Sequence, residues 1–153
     1  ADSGLIVGKK EWIEDCRRFG APVHGICRSS KTSRESMAGL YVAVKNYLEL
    51  DPQKNAAALR HRNEIVAGYV KDVPGIAKIE TVEKGPVGQT YPRLFIYPEK
   101  KERGEHIVQK MYEQGIYIGY EKNCGAVYIS PLNLTDEEAD IVGNMLRVIL
   151  LAE

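Results

Sequence analysis

The order of helical and strand-like segments after Asp51 constrains the fold more than any other feature of this sequence. Hydrophobic periodicity there changes in the order helix, strand, strand, helix, strand, strand, helix. Consecutive strands joined by short turns pair antiparallel, and helices with one apolar stripe cover one face of a sheet. The pattern therefore predicts an α/β protein of the α+β kind, in which an antiparallel or mixed sheet carries helices on one face.

Four segments carry the strand patterns: 76–84 (IAKIETVEK), 93–97 (RLFIY), 116–121 (IYIGYE) and 126–130 (AVYIS). The first of them alternates apolar and polar residues, which is typical of a half-buried strand. The turn-rich residues 122–125 (KNCG) predict a hairpin between the last two strands. Residues 85–88 (GPVG) predict a loop between the first two.

Start signals place the helices. Capping boxes, in which a hydroxyl and a glutamate three residues later satisfy each other's backbone N–H groups, are predicted at residues 32–35 and 135–138. Asp51 and Pro52 supply a third start, an N-cap followed by proline at the first helical position. The predicted helices cover residues 9–19, 32–50, 51–71 and 102–114 and the segment after Thr135.

Apolar stripes at helical spacing predict which residues are buried, since such a stripe is far more often core than cofactor site. The residues predicted to face inward are Met37, Leu40, Tyr41, Val44, Leu48, Leu59, Val66, Tyr69, Val142, Met145, Leu146 and Ile149.

The opening segment, Gly4 to Lys10, does not fit this plan. Gly4 and Gly8 enclose only three residues, and Lys10 stands where a phosphate-binding loop needs Ser or Thr. Residues 5–7 (LIV) are apolar and β-prone, which predicts a buried strand. Since a single terminal strand needs a sheet to join, we expect it to be the edge of another sheet.

Composition limits the class of protein. The sequence has 44% hydrophobic residues and equal numbers, 21 each, of basic and acidic residues, so no overall charge favours nucleic acid or membrane as a partner. It contains neither an apolar run long enough to span a bilayer nor a signal-peptide pattern, and we expect a cytoplasmic protein. No metal site is expected, because the cysteines and histidines lack ligand spacing: Cys16, Cys27, Cys124, His24, His61 and His106.

The stretch from Ser3 to Lys10 (SGLIVGKK), continued as EWIE, and the basic segment at residues 28–31 (RSSK) before a long helix resemble the C-terminal part of fold-type I pyridoxal-phosphate enzymes. The similarity points to the selenocysteine synthase and D-glucosaminate-6-phosphate ammonia-lyase-like family. It implies the last strand and helix of the large domain with an active-site segment at residues 1–31. A connecting helix at 32–50 and a small β-β-α-β-β-α domain at 51–153 would follow.

The resemblance also implies a cofactor and an activity. Pyridoxal phosphate would bind to the longer protein, not stably to this chain, because the family's Schiff-base lysine lies upstream of residue 1 and neither Lys9 nor Lys10 replaces it. The longer protein would be a lyase or transferase acting on an anionic amino acid or amino-sugar derivative, and at least a dimer. The alternatives are a free-standing α/β binding or regulatory module, or the small domain of an ordinary aminotransferase.

The resemblance places anion binding at Arg28 and Lys31, where a helix N-terminus also favours anions. His24 and Arg93 are further candidates. The alternatives are a solvated basic loop for Arg28 and Lys31, and an ion pair with a nearby acid for Arg93. The sequence departs from the family at two places, with His24-Gly25 where relatives have Gly-Arg, and with Leu132 and Asn133 near a family arginine.

Overall fold

The computed structural model describes residues 3–84, 88 and 91–152. The helices are α1 (Lys10–Phe19), α2 (Arg34–Glu49), α3 (Pro52–Val70), α4 (Lys101–Glu113) and α5 (Asp136–Leu151), and the strands are β1 (Ile76–Val82), β2 (Arg93–Pro98), β3 (Gly119–Glu121) and β4 (Ala126–Ile129). The chain divides into two compact units, Ala1–Asp51 and Pro52–Glu153, named here the N-terminal and C-terminal units.

The four strands form one antiparallel sheet in the order β1-β2-β4-β3. The helix α4 connects β2 to β3, and the hairpin from β3 returns β4 to the place beside β2. Ile96 of β2 lies opposite Ile79 of β1 on one side and Val127 of β4 on the other. This sheet confirms the predicted fold class and the predicted hairpin.

The core of the C-terminal unit lies between the helices and one face of the sheet. Exposure alternates along β2, so that Leu94 and Ile96 are buried and their neighbours are half-buried. The helices supply the facing layer, with α3 and α5 packed against each other. The buried residues of this core are Val66, Val70, Val73, Leu94, Ile96, Ile107, Met111, Val127, Ile129, Ala139, Val142, Leu146, Ile149 and Leu150. The helices therefore cover one face of the sheet, as predicted.

The start of α5 follows the predicted capping box. The Thr135 hydroxyl accepts a hydrogen bond from the backbone N–H of Glu138 at 3.2 Å, and the Glu138 carboxylate accepts one from the N–H of Thr135 at 2.7 Å. Pro52 is the first residue of α3, which confirms the predicted start after Asp51. Among the helices in the described part of the chain, none is both long enough and apolar enough to cross a membrane.

Several predicted boundaries and burials are wrong within the C-terminal unit. The strand predicted at 116–121 is shorter, because only Gly119–Glu121 pairs with β4. Tyr69 and Met145 are half-buried at the margin of the core rather than enclosed. Of the loop predicted at residues 85–88, only Gly88 lies among the described residues.

The prediction of a strand at residues 5–7 is wrong. Residues 3–9 have no regular secondary structure, and Val7 is 80% exposed. A strand is stable only when a neighbour satisfies its backbone N–H and C=O groups, and no described strand pairs with this segment.

The first predicted capping box, at residues 32–35, is wrong: the helix starts one residue later with a single side-chain cap and no reciprocal glutamate. The N-cap of α2 is Ser33, whose hydroxyl accepts a hydrogen bond from the N–H of Ser36 at 3.0 Å, so Thr32 lies outside the helix. Glu35 is thus the second helical residue. Hydrogen bonds from its own backbone N–H and from Ser33 lower its pKa, which keeps a carboxylate at this helix end.

The predicted burial of the α2 stripe is also wrong within this chain. Met37, Tyr41 and Leu48 are exposed, and Leu40 and Val44 are half-buried. None of the described residues of the N-terminal unit is buried. Its exposed large apolar residues are Leu5, Ile6, Val7, Trp12, Phe19, Val23, Ile26, Met37, Tyr41, Val42, Tyr47, Leu48 and Leu50. The periodicity predicted an apolar face, but the described residues 3–51 leave that face largely uncovered.

The packing predicts opposite effects for two Gly→Ala substitutions in helices. A Cβ on Gly104 in α4 would lie 2.0 Å from the carbonyl oxygen of Gly125, whereas one on Gly68 in α3 would meet nothing within 4 Å. Gly104→Ala should lower the free energy of unfolding by about 1–3 kcal/mol through overpacking. Gly68→Ala should raise it by about 0.5–1 kcal/mol by restricting the unfolded chain. Denaturant unfolding of both variants checks this, and a stabilised Gly104→Ala variant contradicts the packing of α4 on the hairpin.

Candidate anion-binding site

The segment between α1 and α2 folds back on the end of α1. Gly25 makes this approach possible, because a Cβ there would lie 2.4 Å from the carbonyl oxygen of Phe19. The backbone then forms one 3-10 turn, Arg28–Ser30, in which the N–H of Arg28 donates to the carbonyl of Gly25 at 3.1 Å. Lys31 is extended and leads the chain into α2.

A cavity of about 520 Å³, open to solvent, lies within the N-terminal unit and is lined by residues 3–5, by this segment and by α2. Basic side chains line it at Lys31 and Arg34, and hydroxyl groups line it at Ser30 and Thr32. Its other lining residues are Ser3, Gly4, Leu5, Ala21, Pro22, Met37, Leu40, Tyr41 and Val44. The cavity thus has a cationic, hydroxyl-bearing side and an apolar side.

The electrostatics of the cavity favour an anion. Neither Lys31 nor Arg34 forms an ion pair with any residue that the structure describes. Arg34 is the first residue of α2, a helix of 16 residues, so the helix dipole adds positive potential at this end, which the Glu35 carboxylate in the same turn partly offsets. Phosphate and carboxylate groups are the anions that such a combination of ammonium, guanidinium and hydroxyl donors binds in proteins.

Of the four predicted site residues, the structure places only one in the lining of the cavity. Lys31 lines the cavity, whereas Arg28 lies half-buried in the 3-10 turn and is not among the lining residues. His24 is exposed on the same segment, outside the lining. Arg93 belongs to β2 in the C-terminal unit. Anion binding by Arg28 therefore stays a prediction.

Arg34 was missed by the sequence reasoning. The predicted and the observed helix starts both put Arg34 in the first turn of α2, where the direction of its side chain is not fixed by sequence alone. A basic residue three positions after Lys31, at the first helical position, was the available signal. The structure brings both side chains to one cavity.

Comparison with known proteins finds two enzymes that are similar to this sequence over nearly all of its length. No protein-family model matches the sequence. The chain is 37% identical over 153 residues to a D-glucosaminate-6-phosphate ammonia lyase from Salmonella typhimurium, with 96% of the chain and 39% of the relative covered. It is 24% identical over 155 residues to a 5'-C-glycyluridine monooxygenase-decarboxylase from a Streptomyces species, with 97% of the chain and 38% of the relative covered. The chain therefore spans about two fifths of the length of these relatives.

The cavity predicts which substitutions weaken anion binding. Lys31→Ala and Arg34→Ala should each lower the affinity of the chain for inorganic phosphate by about three- to tenfold, since an exposed charge-assisted hydrogen bond contributes on the order of 1 kcal/mol. Lys45→Ala is the matched control, because Lys45 is an exposed α2 lysine that pairs with Glu49 at 3.9 Å outside the cavity. Chemical-shift titrations by NMR measure the three affinities. Equal losses in all three variants would mean that phosphate responds to overall charge and not to this cavity.

Proposed function

We propose that this chain is the C-terminal part of a pyridoxal-phosphate-dependent lyase or transferase that acts on an anionic amino acid or amino-sugar derivative. The observation that carries the proposal is the 37% identity to a named ammonia lyase across 96% of the chain. The name of that relative describes a phosphorylated amino-sugar acid as substrate. The cationic side of the cavity suits an anionic group of that kind.

The second relative shows why a single reaction cannot be named for this chain. It is called a monooxygenase-decarboxylase, so sequences similar to this one occur in enzymes that catalyse different reactions. We assign lyase or transferase chemistry on the greater identity of the first relative. An ordinary aminotransferase small domain and a free-standing binding module have no comparable observation in their favour.

The exposed apolar surface of the N-terminal unit supports the part of the proposal that concerns a longer protein. Thirteen of its large apolar residues are exposed, and large exposed apolar patches mark interaction surfaces in proteins. The relatives contain about three fifths of their length outside the match, and we assign the cofactor domain and its Schiff-base lysine to the corresponding part of the longer protein. This chain alone would then have no catalytic activity. The longer protein would be at least a dimer.

The residues of this chain would bind and orient anionic groups. The donor set of Lys31, Arg34, Ser30 and Thr32 fits a phosphate group of the cofactor or the substrate. Arg28, whose guanidinium is a planar fork, would hold a second anionic oxygen pair from the same segment. When bound, pyridoxal phosphate withdraws electrons from the substrate carbon that bears the amine. The chain's own contribution is to position the substrate.

A cofactor-binding experiment tests this proposal. Pyridoxal phosphate should give the visible absorbance band of a lysine-bound cofactor, fixed by borohydride, with the natural longer protein and not with the 153-residue chain, because the chain is proposed to lack the lysine. Cofactor binding by neither protein would overturn the proposal and leave the interaction module as the better explanation. A stable, borohydride-fixed adduct on the isolated chain would contradict the assignment of the lysine.

The role of Arg28 is tested in the longer protein. With D-glucosaminate 6-phosphate as test substrate, Arg28→Ala should raise KM by about tenfold or more, since loss of a charge-assisted hydrogen bond costs about 1.5–3 kcal/mol. Arg17→Ala serves as the control, because Arg17 is an exposed residue in the last turn of α1. Steady-state kinetics and circular dichroism of both variants separate substrate binding from folding. Unchanged KM and kcat in Arg28→Ala would remove Arg28 from the site.

A further inference from the structure

The strand β1 is the outermost strand on one side of the sheet, and only one of its two edges is paired. In the order β1-β2-β4-β3 its neighbour is β2, and its backbone makes no hydrogen bond to any other element among the described residues. Alternate residues of such a strand direct their N–H and C=O groups away from the sheet. This row of backbone groups is therefore available for pairing with a further strand.

The length and regularity of β1 suit pairing along this edge. Proteins protect exposed edges with very short strands, with prolines or with bulges that bend the strand away. At the opposite edge of the sheet β3 has only three residues, but β1 has seven, Ile76–Val82, and contains no proline. Its one register shift against β2 lies between Ile76 and Lys78, so residues 78–82 follow a regular ladder.

The hydrophobic core is not closed at this edge. No residue of β1 is buried, whereas Leu94 and Ile96 of the neighbouring strand are. Ile79 lies opposite Ile96 and packs against the core, but it stays half-buried. An apolar side chain in this position loses further contact with water when another strand lies beside its own, and that burial is favourable.

The two charged residues of β1 have opposite signs and lie on either side of Ile79. Lys78 and Glu80 share the face of the sheet opposite the helices, because side chains alternate along a strand. They pair with each other within the chain, and the Tyr97 hydroxyl donates a hydrogen bond to Glu80 at 2.7 Å. The hydrogen bonds from Lys78 and then from Tyr97 lower the pKa of Glu80, so its carboxylate is charged at neutral pH.

This charge pattern favours one register when two copies of β1 pair antiparallel about a two-fold axis perpendicular to the sheet. Residues opposite each other share a face, so the axis passes between one residue and its own copy. An axis at Ile79 sets Lys78 opposite the partner's Glu80 at two symmetric places and brings the two Ile79 side chains together. An axis at Lys78 or at Glu80 sets that charge opposite itself, which is destabilising.

We infer that two copies of this chain associate through β1, with the two-fold axis at Ile79, and form one continuous sheet with four strands from each copy. Each copy gains backbone hydrogen bonds along its unpaired edge, and the two Lys78–Glu80 pairs between copies fix the register. The helices of both copies lie on the same face of this sheet. The inference depends on the edge of β1 alone, and not on the cavity or on the cofactor of the proposed function.

Complementary charge substitutions test the contact, with the dimer dissociation constant of the 153-residue chain measured by sedimentation equilibrium. Lys78→Glu sets glutamates opposite each other and Glu80→Lys sets lysines opposite each other, so each should raise this constant about tenfold. In an equimolar mixture the two variants face each other with opposite charges at both places, and dimers should form within about threefold of the parent constant. This recovery cannot arise inside one chain, because each variant carries like charges at 78 and 80.

A matched pair of substitutions on α4 is the control. Lys110 pairs with Glu113 at 3.0 Å within the chain, so Lys110→Glu, Glu113→Lys and their mixture should all dimerise as the parent does. A parent chain that stays monomeric at roughly millimolar concentration overturns the inference. So does a mixture of the β1 variants that associates no better than either variant alone. Equal association of all variants identifies another surface, such as the exposed apolar residues of the N-terminal unit, and also overturns it.

Hydrogen–deuterium exchange of the parent chain locates the contact without any substitution. The outward amides of β1 should exchange about tenfold more slowly when the chain concentration is raised from below to above the dissociation constant, because pairing satisfies them. Amides of β3 at the other edge should not change. Slowing confined to α1 or α2 overturns the contact at β1.

The longer protein distinguishes a second copy from another strand on the same edge. Slow exchange of β1 there, with no preference for mixed dimers of the Lys78→Glu and Glu80→Lys variants, identifies a segment of the same polypeptide as the occupant. That result overturns the pairing of two copies. Preferential mixed dimers of the longer protein support it.

Discussion

The C-terminal unit depends on the close packing of α3 and α5 over one face of the sheet. A Cβ on Gly143 of α5 would lie 2.6 Å from the ring of Tyr69 on α3, so the two helices meet at a distance that only glycine permits. Arg147 of α5 stabilises the same contact, because its guanidinium donates a hydrogen bond to the carbonyl oxygen of Tyr69 at 2.8 Å. With one face of the sheet filled in this way, the other face is free to carry polar and aromatic side chains, among them Arg93.

The N-terminal unit differs from the C-terminal unit because it has no buried core among its described residues. It contains two helices, of which α2 has a side-chain N-cap and α1 has none, and none of its described residues is buried. Local capping and helix propensity contribute little stability without tertiary packing of an apolar face. The apolar residues of α2 therefore resemble those of a hydrophobic core, but no described residues pack over them. This contrast, together with the share of the relatives that the chain covers, is the physical basis for the proposal that the chain belongs to a longer enzyme.

Sequence reasoning predicted the C-terminal unit well because its signals are local and agree with one another. Alternation in β1 and β2, the turn before Ala126 and the Thr135 capping box each specify one structure. Sequence reasoning failed where the structure of a residue depends on its neighbours in space. Residues 5–7 have the composition of a strand but no partner, and Asn63 is buried on α3 although nothing in the sequence marks it. For the candidate sites, sequence indicated Lys31 and Arg93. The approach of Arg34 to the cavity and the lack of an acid near Arg93 required the structure.

The most direct measurement of the central claim is hydrogen–deuterium exchange of this sequence in two contexts, the isolated 153-residue chain and the natural longer protein. If the N-terminal unit packs against further polypeptide, backbone amides of α1 and α2 will exchange much more slowly in the longer protein. Amides of α3, α5 and the sheet will exchange at similar rates in both, since their core is complete within the chain. Equal, fast exchange of α2 in both contexts would contradict the claim that this chain completes a larger enzyme.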